Sequence, residues 1–275
     1  MLMLFTVVVG MLMATASALP WRVLVFGSLG IGLVAASAAA VNHLVDRNVD
    51  AVMARTRGRP LPSGALGCTQ VAAFALALGL AGMALLVYFT NLLCATLTLA
   101  SLLGYAGVYS LYLKRATPHN IVIGGAAGAA PPLLGWVAVT GQLDPGALLL
   151  FLIVLVWTPP HFWALAIARR EEYARAAIPM LPVTHGVAFT SRRIAQYTVA
   201  LVLIASLPFA IGMSGWLYLT GAAVLGARFV WLAGGLRRDL RLAMPTFRYS
   251  IAYLFALFAL LLLDHYLLAI PLTLP

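Results

Sequence analysis

From one end to the other, the chain alternates long apolar runs with short stretches that carry charge, proline or glycine. Runs long enough for a membrane-spanning helix, about 20 residues, fall at 1–18, 22–45, 68–90, 92–113, 120–140, 146–168, 194–213, 215–236 and 249–270. A bilayer satisfies no backbone hydrogen bonds, so such runs must be helices. The pattern predicts an all-α, polytopic membrane protein of about nine transmembrane helices. It forms a single domain over 1–275, with no separate soluble domain or low-complexity linker. Met1 to Ala18 has the length of a signal peptide but no basic leader, and the rest of the chain is itself full of spans, so it reads as the first helix. It opens abruptly, as a trimmed start would.

Composition excludes the soluble alternatives. Of the 275 residues, 63% are hydrophobic and 9% charged, and the mean hydropathy is +1.02. A soluble domain carries about 25% charged residues. The formal net charge of +10 would point to nucleic acid in a soluble protein. Here the charges sit in short loops, and no nucleic-acid role is expected. Arg47, Arg55, Arg57 and Arg59 follow the second run, Lys114 and Arg115 the fourth, and Arg169, Arg170, Arg175, Arg192 and Arg193 the sixth. Arg228, Arg237, Arg238, Arg241 and Arg248 lie at or after the end of the eighth, and only Arg22 falls on the other side. Sixteen of the 17 basic residues therefore share one face, which the positive-inside rule makes cytoplasmic, with the N-terminus inside. Short loops and no transit peptide point to a bacterial inner membrane. Cys68 and Cys94 lack a metal-ligand spacing and read as small core residues.

The strongest chemical signal lies at the basic end of the second run. Asn42, Asp46 and Asp50 are spaced i, i+4, i+8 and share one helix face. Two carboxylates and an amide oxygen in a row suit a hard cation such as Mg²⁺, which is ordinarily held by one or two carboxylates plus substrate phosphates. The plainer reading is a wet helix end whose aspartates pair with arginines. Arg55 and Arg59 follow directly, within Arg55-Thr56-Arg57-Gly58-Arg59-Pro60-Leu61-Pro62. They suit a diphosphate by charge-assisted, bidentate hydrogen bonds, and equally a plain positive-inside loop. A second acidic cluster, Glu171-Glu172-Tyr173, lies on the same face. It could hold a second cation or pair with Arg169, Arg170 and Arg175. Pro179-Met180-Leu181-Pro182 beyond it echoes the first loop as a weak internal repeat. Lys114 and Arg115 are within reach of a phosphate on the same side.

Within the sixth run, Trp157-Thr158-Pro159-Pro160-His161-Phe162-Trp163 pairs two prolines, which should kink or break a helix. His161 is an ionisable group inside the membrane and so a candidate substrate contact or proton acceptor. The alternative is a histidine bonded to carbonyls freed at the kink. Gly124 and Gly128 form a GxxxG pair that predicts close helix packing. No GxSxG, P-loop or GxGxxG element occurs.

Three segments resemble the UbiA superfamily of intramembrane prenyltransferases, and within it the heme O synthase branch. They are Asn42 to Asp50 running on to Gly64, Tyr109 to Trp136, and Trp157 to Val183. The resemblance implies nine helices around a central cavity capped on the cytoplasmic side. It implies transfer of a prenyl group from farnesyl diphosphate to a vinyl group of heme B, with diphosphate and heme O as products. Heme B is then substrate, not cofactor, and a heme A synthase is a possible downstream partner. By similarity Asn42, Asp46 and Asp50 hold Mg²⁺ and diphosphate, and Glu172 matches the second acidic motif as a further metal ligand. The residues themselves add Lys114 and His161 to Asp46 and Asp50 as expected catalytic groups, and Asn42, Arg55, Arg59, Arg115, Trp157 and Tyr173 as expected substrate contacts. Glu172 stands where the family carries Asp, and Arg175 and Ala176 supply no further acid. Trp157, Phe162 and Trp163 are expected to line the cavity and meet an allylic cation by cation–π contact. Two other readings stay open: a prenyltransferase acting on an aromatic quinone precursor, and a secondary transporter using Asp46 and Asp50 for ion coupling.

Overall fold

The computed structural model describes residues 2–15, 20–53 and 56–269. Among these the regular structure is entirely helical, and nine apolar helices form the bundle. They are α1 (Leu2–Met13), α2 (Val23–Val52), α3 (Cys68–Phe89), α4 (Leu92–Leu113), α5 (Asn120–Thr140), α6 (Pro145–Ala168), α7 (Gly186–Ala210), α8 (Trp216–Gly235) and α9 (Ala243–Ala269). All but α1 are long and apolar enough to cross a membrane.

The helix ends show why each run starts and stops. Asn91 accepts from the Cys94 N–H at 2.8 Å, capping α4, and donates to the Val137 carbonyl at 2.7 Å. It thereby ties the start of α4 to the end of α5, where Gly141 at φ 68 takes the left-handed turn that releases the chain. Asp264 of α9 caps α8 from outside, accepting from the N–H groups of Gly215 and, at 3.2 Å, Tyr218. The His265 ring nitrogen lies 3.3 Å from the Thr15 carbonyl, so the ends of α9 and α1 meet as well. These contacts gather at the end of the bundle opposite the arginine-bearing loops, as an alternating path of nine helices requires.

Two cores lie side by side. One unites α1, α6, α7, α8 and α9 around Val9, Ile153, Leu201, Tyr218 and Tyr253. The other unites α1 to α5 around Val7, Met11, Ile31, Leu86, Cys94 and Leu134. α1 serves both, turning Val7 and Met11 one way and Val9 and Met13 the other. A third cluster closes the basic end, joining Met53, Ile121, Trp163, Ile178, Met180 and Leu181.

Some expectations need correction. α6 runs unbroken through Pro159 and Pro160, both of which are buried in the bundle. α2 continues to Val52, α7 begins at Gly186 and α9 at Ala243, beyond the apolar runs that announced them. At the start of α7, buried Thr190 donates to the Gly186 carbonyl at 2.8 Å, while the neighbouring Ser191 hydroxyl is buried without a partner. Cys94 is buried as expected, but Cys68 is exposed at the start of α3. The close helix crossing is made by glycines other than the GxxxG pair. A Cβ on Gly10 would fall on the Pro132 carbonyl oxygen, and one on Gly135 on the Val7 carbonyl oxygen, so α1 and α5 touch backbone to backbone. Gly124 packs on the Tyr109 ring, whereas nothing lies within 4 Å of a Cβ built on Gly128.

This difference is testable by thermal unfolding in detergent. Gly135→Ala meets immovable backbone and should lower the midpoint markedly or prevent folding. Gly128→Ala should hold or raise it, since alanine is favoured over glycine by about 1 kcal/mol in a helix.

Candidate active site

α2 carries the site along one face. Ile31, Ala35, Ala38 and Ala39 line a cavity of about 610 Å³ that also touches α4, α5 and α6. Further along the same face stand Asn42, Asp46 and Asp50, one turn apart and helical throughout. The row of acids thus begins one turn beyond the last α2 residue of the hollow.

Asp46 and Asp50 are only 2% and 4% exposed. Buried carboxylates are costly unless paired, and each has a cation brought to it by a different route. Lys114, at the end of α4, forms an ion pair with Asp46 Oδ2. Arg59 reaches Asp50 Oδ2 at 2.7 Å. The loop after α2 makes this possible by doubling back: the Thr56 hydroxyl donates to the Asp50 carbonyl at 3.0 Å, and the Thr56 and Arg57 N–H groups both donate to the Met53 carbonyl. The Asn42 amide donates to Ser110 Oγ at 2.9 Å, leaving its carbonyl oxygen as the available acceptor. Ser110 donates in turn to the Tyr105 carbonyl at 2.8 Å, five residues back. That spacing reflects the winding of α4, which is a π-helix over Leu103–Leu113. Such segments are rare and concentrate at functional sites. Here it stacks Tyr105 and Tyr109, 5.4 Å between ring centroids, on the cavity wall and then delivers Lys114 to Asp46.

Not every expected residue joins this group. Trp157 and Phe162 line the cavity. Trp163 faces the other way, buried edge-on against Tyr197 at 5.4 Å. His161 is buried beside Trp157 but turned toward α9, its Nδ1 2.7 Å from Ser250 Oγ. Glu172 accepts from Arg169 at 2.8 Å, and Tyr173 packs on the cluster at the basic end. Arg55 and the side chain of Arg115 lie outside the described residues. Tyr105 and Ser110 carried no signal strong enough to single them out in the sequence. Their five-residue spacing is a π-turn spacing, and it becomes legible only when Asn42 and Asp46 of α2 are known to face α4.

The donor set suits a hard divalent cation. Asp46 Oδ1 and Glu172 Oε2 are buried oxygens with no hydrogen-bond partner, each the unused half of a salt-bridged carboxylate. No three His, Cys, Asp or Glu among the described residues gather into a metal-holding group. A complete protein cage is not what Mg²⁺ requires, since it is usually bound by one or two carboxylates together with substrate phosphates. The cations already beside the acids, Lys114 and Arg59, favour an anionic partner at the same spot.

Residues 3–256 match the UbiA prenyltransferase family. The chain is 62% identical over 275 residues to the protoheme IX farnesyltransferase of Azotobacter vinelandii, covering 99% of this chain and 91% of that protein. Its fold is similar to that of a digeranylgeranylglyceryl phosphate synthase, with a TM-score of 0.81 at 18% identity, covering 96% and 93% of the two chains. A UbiA homologue from Archaeoglobus fulgidus, solved with DMAPP and Mg²⁺, superposes with a TM-score of 0.64 at 16% identity, covering 94% of this chain and 96% of that one. A match that runs through all nine helices and takes in the whole acid row makes this chain a member of the UbiA prenyltransferase family.

Proposed function

We propose that the chain transfers the farnesyl group of farnesyl diphosphate to a vinyl group of heme B, giving heme O and diphosphate. The observation that carries this reading is one helix face that lines an apolar cavity along Ile31 to Ala39 and carries the cation-paired acids Asp46 and Asp50 beyond it. Such a vessel matches a molecule with a long hydrocarbon tail and a charged diphosphate head. The choice of heme as acceptor is supported by relatives named protoheme IX farnesyltransferase at about 60% identity.

Asn42, Asp46 and Asp50 would hold Mg²⁺ with the diphosphate, with Glu172 as a further oxygen donor. When bound, the cation draws electron density from the departing diphosphate. Lys114 and Arg59 supply N–H donors to the same oxygens, and Arg55 and Arg115 add positive charge to the loops around them. Breaking the C1–O bond leaves an allylic farnesyl cation and diphosphate. The cavity wall keeps bulk water from that cation, and Tyr105, Tyr109, Trp157 and Phe162 offer ring faces to it. The terminal carbon of the heme vinyl group donates its π pair to C1, forming the new carbon–carbon bond. The positive charge moves to the carbon beside the porphyrin ring, where water adds and loses a proton to give the hydroxyl of heme O. The basic end is placed at the cytoplasmic face of a bacterial inner membrane, with the N-terminus inside.

Pigment analysis tests the reading: a host lacking heme O should accumulate it when this chain is expressed. In isolated membranes, heme B should be farnesylated and 4-hydroxybenzoate should not. Asp46→Asn and Asp50→Asn should each lower heme O formation by about a hundredfold or more while the protein stays folded in the membrane. Full activity in either variant would defeat the metal assignment. EDTA should stop turnover and added Mg²⁺ restore it, measured as diphosphate release with farnesyl diphosphate in excess.

A further inference from the structure

Trp157 and His161 lie one turn apart on α6 and stack face to face, 4.3 Å between centroids at 19°. Phe247 of α9 covers the other imidazole face at 4.7 Å and 27°, and Phe162 meets its edge at 5.0 Å. Ser250, fully buried on α9, receives both polar groups of the stack. Its carbonyl accepts from Trp157 Nε1 at 2.8 Å, and its Oγ lies 2.7 Å from His161 Nδ1. The single hydroxyl proton of Ser250 goes to the Phe247 carbonyl at 2.6 Å. Nδ1 must therefore carry the proton and donate to Oγ. Trp157 lines the cavity, as do Thr158 and Phe162, but His161 does not. The Nδ1–H of His161 is committed to Ser250 and both ring faces are stacked, which fixes the plane of the imidazole against Trp157.

We infer that His161 and Ser250 are positioning residues that clamp the Trp157 indole as a fixed wall of the prenyl cavity. The inference rests on reading the cavity as the prenyl pocket. The physical need is clear. An aromatic wall favours an adjacent cation only when its face is held in place, and supporting groups must fix it to within a fraction of an ångström. Two N–H groups anchored on one serine of a neighbouring helix do this, and they also seal α6 against α9.

The test uses the purified full-length protein in nanodiscs, with His161→Phe, Ser250→Ala and their double variant. His161→Phe keeps an aromatic stack and loses the hydrogen bond. Each single variant should raise KM for farnesyl diphosphate about three- to tenfold, the size of one net hydrogen bond, with kcat nearly unchanged. The pH–rate profile should not move, and the double variant should be no worse than either single, since both cut the same link. Should Ser250→Ala not fold, Ser250→Cys keeps the volume and weakens the same bond. A loss of about a hundredfold or more in kcat for His161→Phe alone would mark a proton carrier and overturn the inference, as would wild-type KM in both variants. Calorimetric binding of farnesyl S-thiolodiphosphate separates this result from the functional reading. Wild-type protein that binds the analogue but makes no heme O counts against the acceptor assignment. Equal binding by wild type and both variants counts against the clamp.

Discussion

Two carboxylates buried at the rim of a hydrocarbon bundle are costly unless positive charge is brought to them, and much of this molecule is arranged to bring it. Asp46 and Asp50 sit on one helix face, so they repel each other as well as lacking water. Lys114 answers the first from the end of α4, and Arg59 answers the second from a loop that folds back over the end of α2. Each pairing uses one carboxylate oxygen and leaves Asp46 Oδ1 buried and unpartnered. A buried pair of this kind is weak evidence for stability. It is better understood as a charged socket kept ready for an anion with its own cation.

The hollow behind that socket depends on small residues used in two ways. Where a Cβ on Gly10 or Gly135 would strike backbone, glycine lets α1 and α5 touch, which joins the two cores at the centre of the bundle. Where nothing lies near, as at Gly128, the missing side chain is cavity volume. The π-helical stretch of α4 adds a third device by turning Tyr105 and Tyr109 onto the wall while aiming Lys114 at Asp46.

The parts of this architecture governed by local rules were legible in the sequence. Apolar length marks spans, arginine position marks sides, and the i, i+4, i+8 spacing marks Asn42, Asp46 and Asp50 as one face. The rest depends on which neighbour meets that face, which no local rule supplies. Lys114 is 68 residues from Asp46, and Ser250 is 89 from His161. Pro159 and Pro160 suggested a break because local chemistry disfavours them in a helix, but α6 continues through both where they are buried in the bundle. Trp163 and Phe162 are adjacent in sequence, yet only Phe162 reaches the cavity, since neighbours on a helix point about 100° apart. The ends of α7 and α9 differ from the apolar runs because hydropathy falls at the first polar residue, whereas both helices continue through polar residues that pack inside the bundle.

The chemistry proposed here depends on a divalent cation sitting at the acid row with the diphosphate head, while the prenyl tail fills the hollow beside it. Anomalous diffraction from crystals grown with Mn²⁺ and farnesyl S-thiolodiphosphate observes that arrangement directly. The expected result is one or more Mn²⁺ peaks bonded to Asp46 Oδ1, with the thiolodiphosphate between the acid row and Lys114 and the hydrocarbon tail against Tyr105 and Trp157. Mn²⁺ bound elsewhere, or a tail lying outside the bundle while Asp46 and Asp50 keep only their lysine and arginine partners, would contradict it.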